Sequence, residues 1–198
     1  MAVPFTTAER ERITELLLRS GERLFTTQGL RKTSLAELVA PAGIATSSFY
    51  AFFPAKEALY LELMVRHAPA IAERMTAALR QRPTRAALVA VMRTIAQLLE
   101  DDPLYRRLVT HPDELAAVAR RVGPDELSRV EPHVLHPLVA FVEEAQRAGE
   151  VVAAPPAVVV GVLRTVGHVV AHRDEYGDTY REVLDLTIES LATGLGRG

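Results

Sequence analysis

The 198-residue chain is predicted to be all-α, a small N-terminal three-helix domain followed by a larger helical bundle, and three observations predict it. Apolar residues recur at three- and four-residue steps along most of its length, the period of a helix with one buried face. No alternating pattern long enough for a strand appears; the β-branched run from Val151 to Val160 is broken by Pro155 and Pro156 and has no partner. Seven of the eleven Phe and Tyr residues fall before residue 61. A small domain fills its core with bulky rings, whereas a larger one can use Leu, Val and Ala, so two cores are expected, in domains of residues 1–54 and 55–198.

The elements follow in order. Thr6 and Glu9 stand in capping-box spacing, and Ile13, Leu16, Leu17, Leu24 and Phe25 supply the apolar face of a first helix, which Gly29 can close in the left-handed conformation. A second start lies at Thr33-Ser34, with Glu37 three residues beyond Ser34 and Leu35, Leu38 and Val39 as its apolar face. Gly43 turns the chain into a third short helix carrying Phe49, Tyr50, Phe52 and Phe53, which ends before Pro54. A long helix then runs from Lys56 towards Arg80, with a kink expected at Pro69. Further on, Leu88, Val91, Met92, Ile95, Leu98 and Leu99 form one stripe, and Val134 to Ala148 forms another amphipathic segment ending at Gly149. The segment from Ala157 to Leu163 is apolar on every face, which in a helix means burial from two sides. The last helix, from Asp178 to Leu195, places Tyr180, Leu184, Thr187, Ile188, Leu191 and Leu195 on one side and Arg181, Glu182, Asp185 and Glu189 on the other.

Composition narrows the function. There is no cysteine, so disulfides, thiolate metal sites and cysteine nucleophiles are excluded. The start of the chain lacks a basic stretch leading into an apolar core, and no apolar run is long enough to span a bilayer; the expectation is a cytoplasmic protein without a membrane partner. No nucleophile elbow, phosphate-cradling glycine loop or paired-acid motif is visible, so the chain is not expected to be an enzyme and no cofactor is assigned. The net charge of −2 makes no polycation; residues 1–66 carry eight basic against seven acidic groups, and both lysines, Lys32 and Lys56, lie there. Nucleic-acid binding would therefore rest on local geometry rather than bulk attraction.

Such geometry is present. A long helix, a short helix, a glycine turn and another short helix within residues 10–53 is the layout of a helix-turn-helix, whose last helix enters the DNA major groove. The residues Leu24-Phe25, Gly29, Thr33-Ser34-Leu35, Ala42-Gly43-Ile44 and the run from Phe49 to Leu59 resemble the N-terminal signature of the TetR-like transcriptional regulators over residues 10–64. The resemblance implies a homodimer reading half-sites of a palindromic double-stranded operator, usually as a repressor, with a C-terminal domain that binds a small-molecule effector and releases DNA. It also implies backbone contacts from Thr33, Tyr50 and Lys56, and a recognition helix opening at Thr46, Ser47 and Ser48. Lys32 adds charge, and the segment opening at Thr33-Ser34 would offer backbone N–H groups to phosphate.

Three departures from the signature stand out. Pro41 is expected to end or bend the second helix early. Ala45 and Ala55 stand where serine commonly caps the third and fourth helices, and Thr46 and Ala51 replace a basic residue and a histidine. These keep alive an alternative, a helical ligand-binding or interaction protein that has lost useful DNA affinity.

Elsewhere, His168 and His172 are four apart and His133 and His136 three apart, spacings that suit a shared metal, but no third ligand is tied to either pair and no metal is assigned. Gly161, Thr165, His168 and His172 share one face, where the small Gly161 would admit another helix. By resemblance, the last two helices of each subunit form a four-helix dimer contact, to which Gly161, His172, Tyr180, Leu184, Ile188 and Leu191 are assigned; the competing reading is that Gly161 and Gly167 merely permit packing within one subunit. For the effector, Met92, Ile95, Leu99, Leu108, Phe141, Thr165 and His168 are candidate lining residues, with plain core filling as the alternative.

Overall fold

The computed structural model describes residues 5–127 and 131–197 and divides into two compact units, Met1–His67 with His111–Arg129, and Ala68–Thr110 with Val130–Gly198. The secondary structure of the described residues is helical, joined by short turns and loops, with one isolated bridge between Val151 and Gly196. The double proline has the expected effect: the chain leaves the bridge and enters a helix at Pro156.

In the first unit, α1 (Thr7–Thr27) opens with both bonds of the capping box between Thr6 and Glu9. Gly29, at φ +88°, follows it and begins the single-turn α2 (Gly29–Lys32). A second capping box, Ser34 with Glu37, opens α3 (Leu35–Val39). Pro41 then acts as expected: α3 stops at Val39, and Ala40–Ala42 tighten into a 3₁₀ turn that Gly43 closes at φ +65°. Thr46–Ala51 is also 3₁₀ rather than α-helical. Ala45 provides no side-chain cap, and the segment takes up the tighter i to i+3 pattern, the Ser48 N–H donating to the Ala45 carbonyl and the Phe52 N–H to that of Phe49.

The helix α4 (Lys56–Leu79) contains Pro69 and contributes residues to both units. Its first half packs Leu59 and Tyr60 against α1, where Phe25 and Tyr60 stack at 5.1 Å. Gly21 makes this approach possible, because a Cβ there would lie 3.0 Å from a Leu59 methyl. Leu17, Leu24, Phe25, Leu38, Phe49 and Phe53 complete an aromatic-rich core.

The second unit is built on α5 (Thr84–Asp101), whose stripe Leu88, Val91, Met92, Ile95, Leu98 and Leu99 is buried as the periodicity predicts. Around it lie α6 (Pro103–Thr110), α9 (Glu131–Arg147), α10 (Pro156–Arg164), α11 (Val166–Ala171) and α13 (Tyr180–Leu195), with a single-turn α12 (Arg173–Tyr176) before the last. The core is aliphatic: Val142, Val159, Leu163, Val166, Leu184, Ile188 and Leu195 join the α5 stripe.

Two further helices, α7 (Pro112–Val122) and α8 (Pro124–Leu127), come late in sequence yet belong to the first unit. A single cut after residue 54 does not contain this return.

Candidate nucleic-acid interface

The helix-turn-helix is held by charged side chains placed at backbone termini. The Lys56 ammonium donates to the carbonyls of Arg31 at 3.3 Å and Thr33 at 3.0 Å, capping the end of α2. At the other end of α2, the Leu30 N–H donates at 3.1 Å to the buried carboxylate of Glu114, from α7. Arg31 and Asp113 add an exposed pair at 3.9 Å, which contributes little. Arg10 ties α1 to the recognition segment, its guanidinium donating to the Ala51 carbonyl at 2.8 Å while lying 5.0 Å over the Phe52 ring.

The recognition segment is oriented by its rings. Phe49 and Phe53 are buried with centroids 6.0 Å apart, while Tyr50 meets Phe49 edge-on at 5.8 Å and remains 59% exposed. In a 3₁₀ helix residues three apart eclipse, so Ser47 and Tyr50 stand on one outward ridge. Thr46 and Ser47 are exposed and Ser48 half-buried, and none of these hydroxyls, nor that of Tyr50, is hydrogen-bonded within the described residues.

A groove of about 310 Å³ gathers Thr33, Ser34, Tyr50 and Lys56, four of the eight residues assigned to DNA from the sequence. Their availability differs. Thr33 is buried, and its hydroxyl and N–H both donate to the Gly29 carbonyl, so it stabilises α2 rather than reaching outward. Ser34 donates its hydroxyl to Glu37 at 2.7 Å and caps α3. Lys56 keeps one of its three N–H donors free of those two carbonyls. Lys32 is exposed at the end of α2.

Bonds from the Ser34 backbone, then from its hydroxyl and from Gln28, lower the Glu37 carboxyl from 4.5 to about 2. A depressed carboxyl stabilises the folded state above its ordinary range. The contribution of this cap is therefore expected to persist at neutral pH and to disappear as pH falls from about 4.5 to about 2, which an NMR titration of Glu37 would follow. Ser34→Ala is expected to cost about 1 kcal/mol of stability, read as a lower denaturation midpoint; an unchanged midpoint would show that the box contributes nothing.

Residues assigned to an effector or a dimer from the sequence separate in the second unit. Met92, Ile95 and Leu99 are buried in the core with Phe141 packed against it, and Leu108 is half-buried. Thr165 and His168 are exposed, Thr165 donating to the Val162 carbonyl at 2.6 Å. Leu184 and Ile188 belong to the subunit's own core, and Leu191 packs against it. The Tyr180 hydroxyl donates to Glu100 at 2.8 Å; burial, then that bond, pushes Tyr180 up to about 12. The outward residues are instead Val158, Gly161, Thr165, His168 and His172 along α10 and α11, and Leu186 on α13, which is 70% exposed. The two glycines divide: nothing lies within 4 Å of a Cβ on Gly161, whereas one on Gly167 would meet Leu99 at 3.1 Å. His136 is exposed, and the His133 side chain lies outside the described residues.

Sequence reasoning missed the return of α7. Glu114 reaches α2 across 84 positions, and no local pattern signals that contact. The exposed Leu186 was legible in principle, as an apolar residue off the buried stripe of α13.

Residues 17–63 match the family profile described as bacterial regulatory proteins, tetR family. Among solved structures, a tetR-family transcription regulator of Shewanella sp. PV-4 superposes with a TM-score of 0.69 at 17% identity, over 93% of this chain and 98% of that one. One from Marinobacter aquaeolei VT8 gives 0.67 at 17% identity, over 98% and 100%. The regulator FadR of Bacillus subtilis, solved with stearoyl-CoA, gives 0.64 at 16% identity, over 91% and 98%. No curated protein matches the chain significantly.

Proposed function

Starting from a TetR-like chain, one that carries that family's N-terminal segment and the fold of its regulators, we propose a cytoplasmic, DNA-binding transcriptional regulator that acts as a homodimeric repressor and is released by a small molecule. The observation that carries the reading is the exposed ridge of Ser47 and Tyr50, with unbonded hydroxyls, beside a groove containing the Lys56 ammonium. Tyr50 and Lys56 suit phosphate oxygens, which fix register, while Thr46, Ser47 and Ser48 meet base edges. Hydroxyls lack the bidentate geometry of Arg or Asn, so discrimination per base is modest and phosphate contacts supply much of the affinity.

The dimer face of this proposal is the outward stripe Val158, Gly161 and Thr165 together with Leu186, in place of the buried Leu184 and Ile188. Two recognition segments must lie about 34–36 Å apart to enter successive major grooves. An effector acts by changing that separation, with α4 as the lever, and DNA and effector then weaken each other by the same factor. Residues 55–198 would supply effector binding and dimerisation. FadR was solved with an acyl-CoA, which makes an acylated anionic ligand the first class to screen.

Electrophoretic mobility shift with duplex DNA flanking its own gene tests the reading. Wild type is expected to bind with sequence preference and a clear salt dependence, and Tyr50→Ala and Lys56→Ala to bind at least tenfold more weakly. Equal, weak and non-selective binding by all three proteins would favour a scaffold without useful DNA affinity.

A further inference from the structure

On the premise that the chain binds DNA, we propose that Arg121, on α7 and outside the helix-turn-helix, is a further contact to the DNA backbone. Arg121 lines the same groove as Ser34, Tyr50 and Lys56. It is exposed and makes no hydrogen bond or ion pair with the described residues. Three other arginines of this unit are engaged, Arg10 with Ala51 and Phe52, Arg31 with Asp113 and Arg66 with Glu15 at 2.8 Å; what sets Arg121 apart from the remaining unpaired ones is its place in the groove. A free guanidinium beside an ammonium and an unbonded phenol hydroxyl gathers hydrogen-bond donors of the kind an anion site uses. The carboxylate lining this groove, Glu57, sits in the first turn of α4, and Arg121 also borders an adjoining pocket with Glu62 and Glu126.

The register of α7 explains why Arg121 is there. Glu114 and Arg121 are seven residues apart, two turns, so they share a face with the fully buried Val118 between them. Glu114 receives the Leu30 N–H and fixes that face on the helix-turn-helix, which brings Arg121 to the groove. The guanidinium fork matches two phosphate oxygens, a geometry that the partly committed Lys56 cannot offer. The contact carries no sequence information, because phosphates are alike.

Fluorescence anisotropy with the duplex flanking its own gene and a scrambled duplex, at several salt concentrations, tests the assignment on the full-length protein. Arg121→Ala is expected to weaken both duplexes about tenfold and to reduce the log-log salt slope by about 1 per subunit. Arg121→Lys, which keeps the charge, is expected to recover the slope but only part of the affinity. Arg120→Ala, the same charge removed from the neighbouring position of α7 that does not line the groove, is expected to leave both unchanged; circular dichroism of each variant checks that α7 is intact. Wild-type affinity and slope in Arg121→Ala, alongside weakened binding by Tyr50→Phe, would overturn the assignment and leave the DNA reading standing. Equal effects of Arg120→Ala and Arg121→Ala would show a diffuse field and also overturn it. Wild type without affinity for either duplex would remove the premise as well.

Discussion

In the proposed homodimer, Leu186→Arg is expected to leave a monomer with its secondary structure unchanged, measured by light scattering and circular dichroism. Leu186 is 70% exposed on α13 and Val158 54% exposed on α10, two helices that pack on each other, and Gly161 leaves open space beside them. None of the described residues of the subunit covers these side chains. In a two-fold contact each substituted chain would present its charge to the same patch on its copy, so two guanidinium groups would be desolvated without acceptors. Because a dimer engages the second half-site at high effective concentration, operator affinity is expected to fall about a hundredfold or more. A variant that stayed dimeric would place the subunit contact elsewhere.

The other large effect is expected in the reading head itself. Phe49 is fully buried, with Tyr50 against its edge and Phe53 at 6.0 Å. Phe49→Ala removes most of a ring from a small core and should cost about 3–5 kcal/mol, a large share of the stability of a domain this size. Hydrogen exchange is expected to show loss of protection through α1, α3 and the recognition segment, with α5 and α13 retaining theirs, and DNA binding should disappear. Phe49→Leu, closer in volume, is expected to be milder. Uniform loss of protection along the chain would mean that the two units melt as one.

These two residues also show what was legible in the sequence and what was not. The ring at 49 reads directly, because an aromatic-rich N-terminal third, two capping boxes and glycines at 29 and 43 each dictate local structure within a few positions. The short recognition segment reads in place but not in type: it is 3₁₀, with no side-chain cap at Ala45. Thr33 is less available than its place in the sequence suggests, because its hydroxyl donates to the carbonyl four residues earlier. Leu184 and Ile188 show a different ambiguity. Helical period identifies a buried side but not what buries it, and here the subunit's own α5 lies against α13, leaving off-stripe Leu186 outward. Glu114 and Arg121 were not legible at all, because their meaning depends on which distant helix they meet.

Lying on the first unit, α7 makes the reading head a composite of segments made early and late in synthesis. Ribosomes finish residues 1–67 well before 111–129, so α2 emerges without the carboxylate that holds its leading amide. Exchange of operator specificity between relatives by grafting only the N-terminal third would leave that amide facing a foreign helix. A transplant that keeps its grip on DNA has to carry both pieces of chain.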